Sequence, residues 1–121
     1  VIELERLRFV QDEPIALVVT YLPYARCQAI LRADLTRQSL YALMEAECGL
    51  VIARGTRTME AVAAGPREAE LLDIAPGSPL MLLDSVSYLE DGAPIEYYRA
   101  LHRGDRSRFV ADVIRGHEPL H

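Results

Sequence analysis

One hundred and twenty-one residues, half of them hydrophobic, are enough for one packed domain, and the 26% that are charged are spread along the chain rather than massed as in a disordered segment. Thirteen Lys and Arg against eighteen Asp and Glu leave a net charge of -5, which repels a phosphate backbone over most of the surface and argues against direct contact with nucleic acid. Cys27 and Cys48 form no C-x-x-C pair and lie beside no histidine cluster, so the sequence predicts no metal, no cofactor, no disulfide framework, and a reducing, cytoplasmic setting. No apolar run approaches the ~20 residues that cross a bilayer, and the opening Val-Ile-Glu-Leu-Glu-Arg is not a signal peptide. Because the chain opens at Val1 and runs at once into strand-like alternation, it is expected to be a piece of a longer protein.

In chain order, alternation predicts strands over Ile2 to Phe9 and Pro14 to Tyr21, joined as a hairpin at Gln11-Asp12. Leu22-Pro23 ends the second strand, since a proline cannot feed a central ladder, and a helix is expected over Tyr24 to Arg32. Leu35, Leu40, Leu43 and Met44 recur at helical spacing, with Ser39 (or Thr36) as N-cap and Gly49 as terminator. Leu50 to Ala64 reads as a strand in which Gly55 hints at a bulge, and Gly65-Pro66 opens a helix over Arg67 to Asp73. A turn at Pro76-Gly77-Ser78-Pro79 leads to a strand Leu80 to Leu89, a tight Asp91-Gly92 connection, a partner strand Ala93 to Arg103 and a final strand Phe109 to Ile114, with Arg115 to His121 as a frayed tail. Six strands and three helices, linked by hairpins rather than strand-helix-strand units, favour an α+β fold with a six-stranded antiparallel sheet over a Rossmann fold.

No G-x-S-x-G, phosphate-cradling glycine loop, H-E-x-x-H or G-x-G-x-x-G occurs, so the common catalytic templates are missing and no catalytic residue is assigned. The informative residues are polar ones set in apolar strands, which need a partner or a ligand. Arg6 and Arg8 share a face of the first strand and repel each other unless an anion lies between them, although Glu3 and Glu5 offer a bland alternative as counter-charges. Glu96, Tyr98, Ala100 and His102 share a face of the strand after Pro94, mixing hydrogen-bonding groups with aromatic surface as a metabolite pocket does, with Tyr97, Arg99 and Leu101 on the other side; the same pattern also fits a solvated sheet face. His102 alone reads more simply as a structural histidine and Tyr41 as a core residue, while Ser39 and the helix amides that follow it suit an anion.

Leu4-Glu5-Arg6-Leu7-Arg8, Pro14-Ile15-Ala16-Leu17, Tyr21-Leu22-Pro23, Ser39-Leu40-Tyr41, Glu68-Ala69-Glu70-Leu71-Leu72, Pro76-Gly77-Ser78-Pro79-Leu80, Pro94-Ile95-Glu96-Tyr97 and Arg103-Gly104-Asp105-Arg106 follow in an order that resembles the UTRA effector-binding domain of the GntR superfamily, HutC subfamily, of bacterial transcription regulators. The resemblance covers almost the whole chain. It implies a chorismate lyase-like fold, a homodimer, a small anionic metabolite as effector (phosphorylated sugar, phosphonate or carboxylate) and a winged helix-turn-helix domain, outside this chain, that contacts operator DNA. By the same resemblance Arg6 and Arg8 grip the anionic group, Ser39 adds a donor and Glu96 accepts from ligand hydroxyls or amides; Tyr41, Tyr98 and His102 join them as candidate ligand-binding residues from their places on the helix and the strand.

Two positions depart from the pattern: Val18 stands where a glutamate is usual and His102 where a tyrosine is. An unpaired ligand hydroxyl costs on the order of 1 to 3 kcal/mol, so an anionic metabolite with few hydroxyls is expected rather than an amino-sugar phosphate. Ideal hairpin pairing puts Arg8 and Val18 on different faces, so a bulge or twist is required if both are to face one pocket. Leu80, Leu82 and Val86 are candidate dimer residues. A chorismate lyase-like enzyme and a dimerisation module with a vestigial pocket are the alternatives; the expected protein is not an enzyme.

Overall fold

The computed structural model describes residues 1–35 and 39–115. Its strands are β1 (Ile2–Val10), β2 (Glu13–Leu22), β3 (Arg54–Ala63), β4 (Pro79–Tyr88) and β5 (Pro94–Arg103); its helices are α1 (Tyr24–Cys27), followed by a 3-10 turn over Gln28–Arg32, α2 (Leu40–Cys48) and α3 (Pro66–Leu72). All neighbouring strands are antiparallel, in the order β1-β2-β5-β4-β3, so the fold is α+β with five strands rather than the expected six. The missing strand is Phe109 to Ile114. After β5, at the centre of the sheet, the chain turns away through Arg103–Arg106 and pairs with neither sheet edge, leaving Val110, Val113 and Ile114 exposed. Strand propensity alone does not make a strand without an edge to pair with.

The first hairpin turns on Gln11 and Asp12, both with positive φ (50° and 63°), as a two-residue connection matching the strand twist requires. Phe9 faces Pro14 but Arg8 faces Ala16, so Ile15 is an extra residue on β2. Pro14, with no N–H to give to the ladder, is a natural site for this bulge. Arg103, only 7% exposed, holds it: Nη1 donates to the Pro14 carbonyl and to Glu13, both at 3.2 Å, while Nε and Nη2 donate to the Asp105 carboxylate at 3.1 and 2.8 Å. The hairpin is thereby tied to the loop that follows β5.

Three core clusters seat the elements. Cys27, Ile30, Leu40, Leu43 and Met44 from the helical segments close over Ile2, Leu22, Leu89 and Ile95 at one end of the sheet. Ala69 and Leu72 of α3 cover Leu17 and Leu80 on the opposite face, and Ala16, Val18, Leu83 and Ala100 form a flat patch of the first face. Leu80 and Leu82 are thus buried within the protomer, which removes them from the candidate dimer surface, whereas Val86 is half-buried.

Local details refine the sequence expectations. The helix after Pro23 is α-helical for four residues only, because Cys27 leaves helical geometry (φ -125°, ψ 22°). Gly55 makes no bulge, since β3 and β4 stay in register; instead a Cβ there would stand 3.1 Å from the Val86 carbonyl oxygen. Gly49 ends α2 in the left-handed conformation, as expected, and Ser39 occupies the N-cap position but its side chain makes no cap hydrogen bond. Thr36 and residues 116–121 of the expected tail lie outside the described residues.

Met44 is completely enclosed at the seat of α2. Met44→Ala is expected to lower the unfolding free energy by about 2 to 5 kcal/mol, read from urea denaturation; a negligible change would mean that α2 is not seated as described.

Candidate functional site

The bulge at Ile15 decides which residues meet. Directly paired residues of an antiparallel sheet share a face, and the registers make one face of four rows: Arg8, Ala16, His102, Met81 and Ala61; Arg6, Val18, Ala100, Leu83 and Met59; Leu4, Thr20, Tyr98, Ser85 and Arg57; and Ile2, Leu22, Glu96, Ser87 and Gly55. With a regular hairpin, Arg8 would face Ile15 and Arg6 would face Leu17, on the side that α3 covers. The bulge that the sequence required is present, and Arg6, Arg8 and Val18 lie on one side with Glu96, Tyr98 and His102.

Arg6 is half-buried. Its Nη2 donates to Thr20 Oγ1 at 3.4 Å, a long bond, and its Nε is buried with no hydrogen-bond partner. Burial first, and then the charge of Arg8, lower the Arg6 pKa, with Glu96 and Tyr41 opposing. Arg8 is exposed at the rim beside His102. Glu5 does not balance this pair: it reaches the other face and bonds Arg67 of α3 at 2.6 Å. The floor between consists of Val18, Ala16 and Ala100 and offers no side-chain acceptor.

At the other end, Tyr41 reaches down from α2 and donates to Glu96 Oε1 at 2.6 Å, and Ser87 Oγ donates to the same oxygen at 3.0 Å. Glu96 is buried, while Tyr41 is 39% exposed and therefore a contact over the sheet, not a core residue. Burial and the bond to Glu96 push the Tyr41 hydroxyl up to about 12, so it stays a donor at neutral pH. A recess of about 390 Å³ opens beside this pair, lined by Tyr41, Ile52, Arg54, Arg57, Ser85 and Ser87 among others.

A second groove, of about 400 Å³, lies on the opposite face around Leu17, Tyr21, Leu82 and Leu101. Its arginines are already neutralised, Arg67 by Glu5 and Arg99 by Asp84 at 3.0 Å. Unsatisfied cationic donors are therefore found on the first face, which is the better candidate.

Of the sequence-predicted residues, Arg6, Tyr41, Glu96 and Tyr98 converge on this face; Arg8 and His102 mark its rim; Ser39 sits exposed at the start of the helix that carries Tyr41. Sequence reasoning missed Thr20, Ser85, Ser87 and Arg57. The first three are buried hydroxyls in otherwise apolar strands, a signal open to a period-two reading, whereas Arg57 joins the face only through the register of β3 on β4. Cys27 and Cys48 are free thiols, buried and half-buried, and burial raises the Cys27 thiol to about 11. Among the described residues no metal-binding group is found and no helix is long and apolar enough to cross a membrane.

This α+β fold, an antiparallel sheet with few helices, matches the effector domains of GntR-family transcription regulators. It superposes on the effector domain of PhnF from Mycobacterium smegmatis with a TM-score of 0.86, at 33% identity over 93% of this chain and 69% of that one. The GntR-family regulator from Enterococcus faecalis gives 0.83 at 34% identity, covering 92% and 79%. In sequence, the HTH-type transcriptional regulator Rv0792c of Mycobacterium tuberculosis is 36% identical over 107 residues, 86% of this chain and 40% of that protein. The UTRA domain family pattern matches residues 1–108, and the chain belongs to that family: it is a UTRA effector-binding domain of the GntR-family regulators. It spans less than half the length of the curated relatives it matches.

Burial, then the charge of Arg8, hold the His102 imidazole below its ordinary 6.5. The unfolded chain therefore protonates first, so the stability His102 contributes is complete above 6.5 and is lost as pH falls through that value toward the lower folded one. His102→Asn is expected to flatten part of the stability loss between about pH 7 and pH 5. An NMR titration of the ring checks the premise; a midpoint above 6.5 would contradict it.

Proposed function

We propose that this domain binds a small anionic metabolite, a phosphorylated or carboxylated compound with few hydroxyl groups, and that binding alters operator affinity in a longer regulator. The observation that carries the reading is Arg6: a guanidinium with a buried, unpartnered Nε, a second cation at Arg8 and no carboxylate paired to either among the described residues. Two adjacent guanidiniums repel, and an anion between them relieves that cost through charge-assisted hydrogen bonds to their outer N–H groups. Arg6 and Arg8 hold the acidic group, Tyr98 and the small floor support the body, and Glu96 with Tyr41 reads its polar end. Val18 favours phosphonates and carboxylates over sugar phosphates. Ser39, exposed at the head of α2, is a further donor in this reading.

Regulation follows if the ligand prefers one arrangement of paired domains. The relatives Rv0792c and PhnF are HTH-type regulators more than twice as long, which supports a DNA-contacting domain outside this acidic segment and a sensing rather than catalytic role in a cytoplasmic setting; a homodimer is part of the same proposal.

A thermal-shift panel of sugar phosphates, phosphonates and small carboxylates tests the reading. A true ligand at 100 times its Kd should stabilise by about 2.7 kcal/mol, and Arg6→Gln should abolish the gain; stabilisation that survives Arg6→Gln would count against an anion at this site.

A further inference from the structure

We propose that Arg57 is a second anion-holding group of this site, so that the effector carries two acidic groups joined by a short body. The proposal rests on the effector-binding reading above and narrows it.

Arg57 stands on the edge strand β3, where a cation is free to extend into water. Its guanidinium carbon instead lies 5.9 Å from the centre of the Tyr98 ring, two strands inward. No carboxylate among the described residues draws it there, and an exposed cation–π contact is weak and leaves the guanidinium N–H donors free. Arg6 reaches the same row from the opposite edge, through Thr20, which is paired directly with Tyr98.

Tyr98 thus stands between two guanidiniums. By the registers the Arg8 row and the Arg57 row lie four residues apart along the strands, roughly 13 Å. A single acidic group shared by Arg6 and Arg8 therefore cannot also reach Arg57, because charge-assisted hydrogen bonds span only about 2.7–2.9 Å. Two acidic groups on a body of a few atoms can. That body would lie on the Tyr98 ring, with one end at Arg6 and Arg8 and the other in the recess that Arg57 shares with Ser85 and Ser87. On the opposite face Arg67 and Arg99 are each matched with a carboxylate, and Arg54 of β3 lies 4.4 Å over the Tyr88 ring, closer than Arg57 lies to Tyr98, so Arg57 is the more loosely held of the two β3 arginines.

Calorimetric titration of this chain with phosphonoacetate and glutarate, against methylphosphonate and butyrate, provides the test. Each two-acid probe is expected to bind about tenfold or more tightly than its one-acid counterpart. Arg57→Gln should erase that advantage while leaving the one-acid constants within about twofold, and Arg6→Gln should weaken both classes. Arg57 is exposed, so an unchanged urea midpoint certifies the variant as folded. If the two-acid probes hold no advantage, or keep it in Arg57→Gln, the proposal falls, and the effector reading survives so long as Arg6→Gln still weakens binding. If no probe binds and Arg6→Gln changes nothing, both fall.

Discussion

A single extra residue in β2, Ile15, sets the orientation of everything polar in β1. Because side chains alternate along a strand, a one-residue shift of pairing exchanges the two faces. With Ile15 bulged out, Arg6 and Arg8 face Glu96 and Tyr98, and Glu5 faces α3, where Arg67 receives it. Without it, the carboxylates of β1 would line the recess and the arginines would press against α3. The bulge is secured at two levels: Pro14 weakens the ladder at that point, and the buried Arg103 clamps Glu13, Pro14 and Asp105 together. The conspicuous Arg103-Gly104-Asp105-Arg106 run therefore acts on the site from a distance, by fixing the strand that carries its cations.

The two faces divide the work. One is closed by α3 and neutralised by ion pairs, Arg67 with Glu5 and Arg99 with Asp84, both largely exposed and of small energetic weight. The other keeps its charges apart: a half-buried Arg6 on a floor of Val18, Ala16 and Ala100, and a buried Glu96 whose oxygen is held by Tyr41 and Ser87. The helix α2 links this polar end to the main core, since Leu43 and Met44 are buried in it while Tyr41, on the same helix, reaches Glu96. A ligand that replaces water around Glu96 and Tyr41 would thus bear directly on the seating of α2.

Much of this was legible in the sequence because the signals were local. Gln11-Asp12 and Asp91-Gly92 marked the hairpins, Gly49 the end of α2, and the period of two put Glu96, Tyr98 and His102 on one face. The need for a bulge near Arg8 also followed from counting along the hairpin. What escaped depended on pairings between distant segments: Phe109 to Ile114 has the composition of a strand but finds no edge, Leu80 is covered by a helix whose placement the sequence does not encode locally, and Arg57 reaches Tyr98 only because β3 docks on β4 in one register.

The central claim is that the Arg6 guanidinium, matched by no carboxylate among the described residues, receives an acidic guest. Side-chain NMR of the arginine Nε–Hε groups, recorded while phosphonoacetate is added, addresses that guanidinium directly. The account predicts that one slowly exchanging resonance, absent from the Arg6→Lys spectrum, moves in proportion to occupancy as a charge-assisted hydrogen bond forms to the guanidinium. An Arg6 signal that stays fixed while other arginines shift would contradict it.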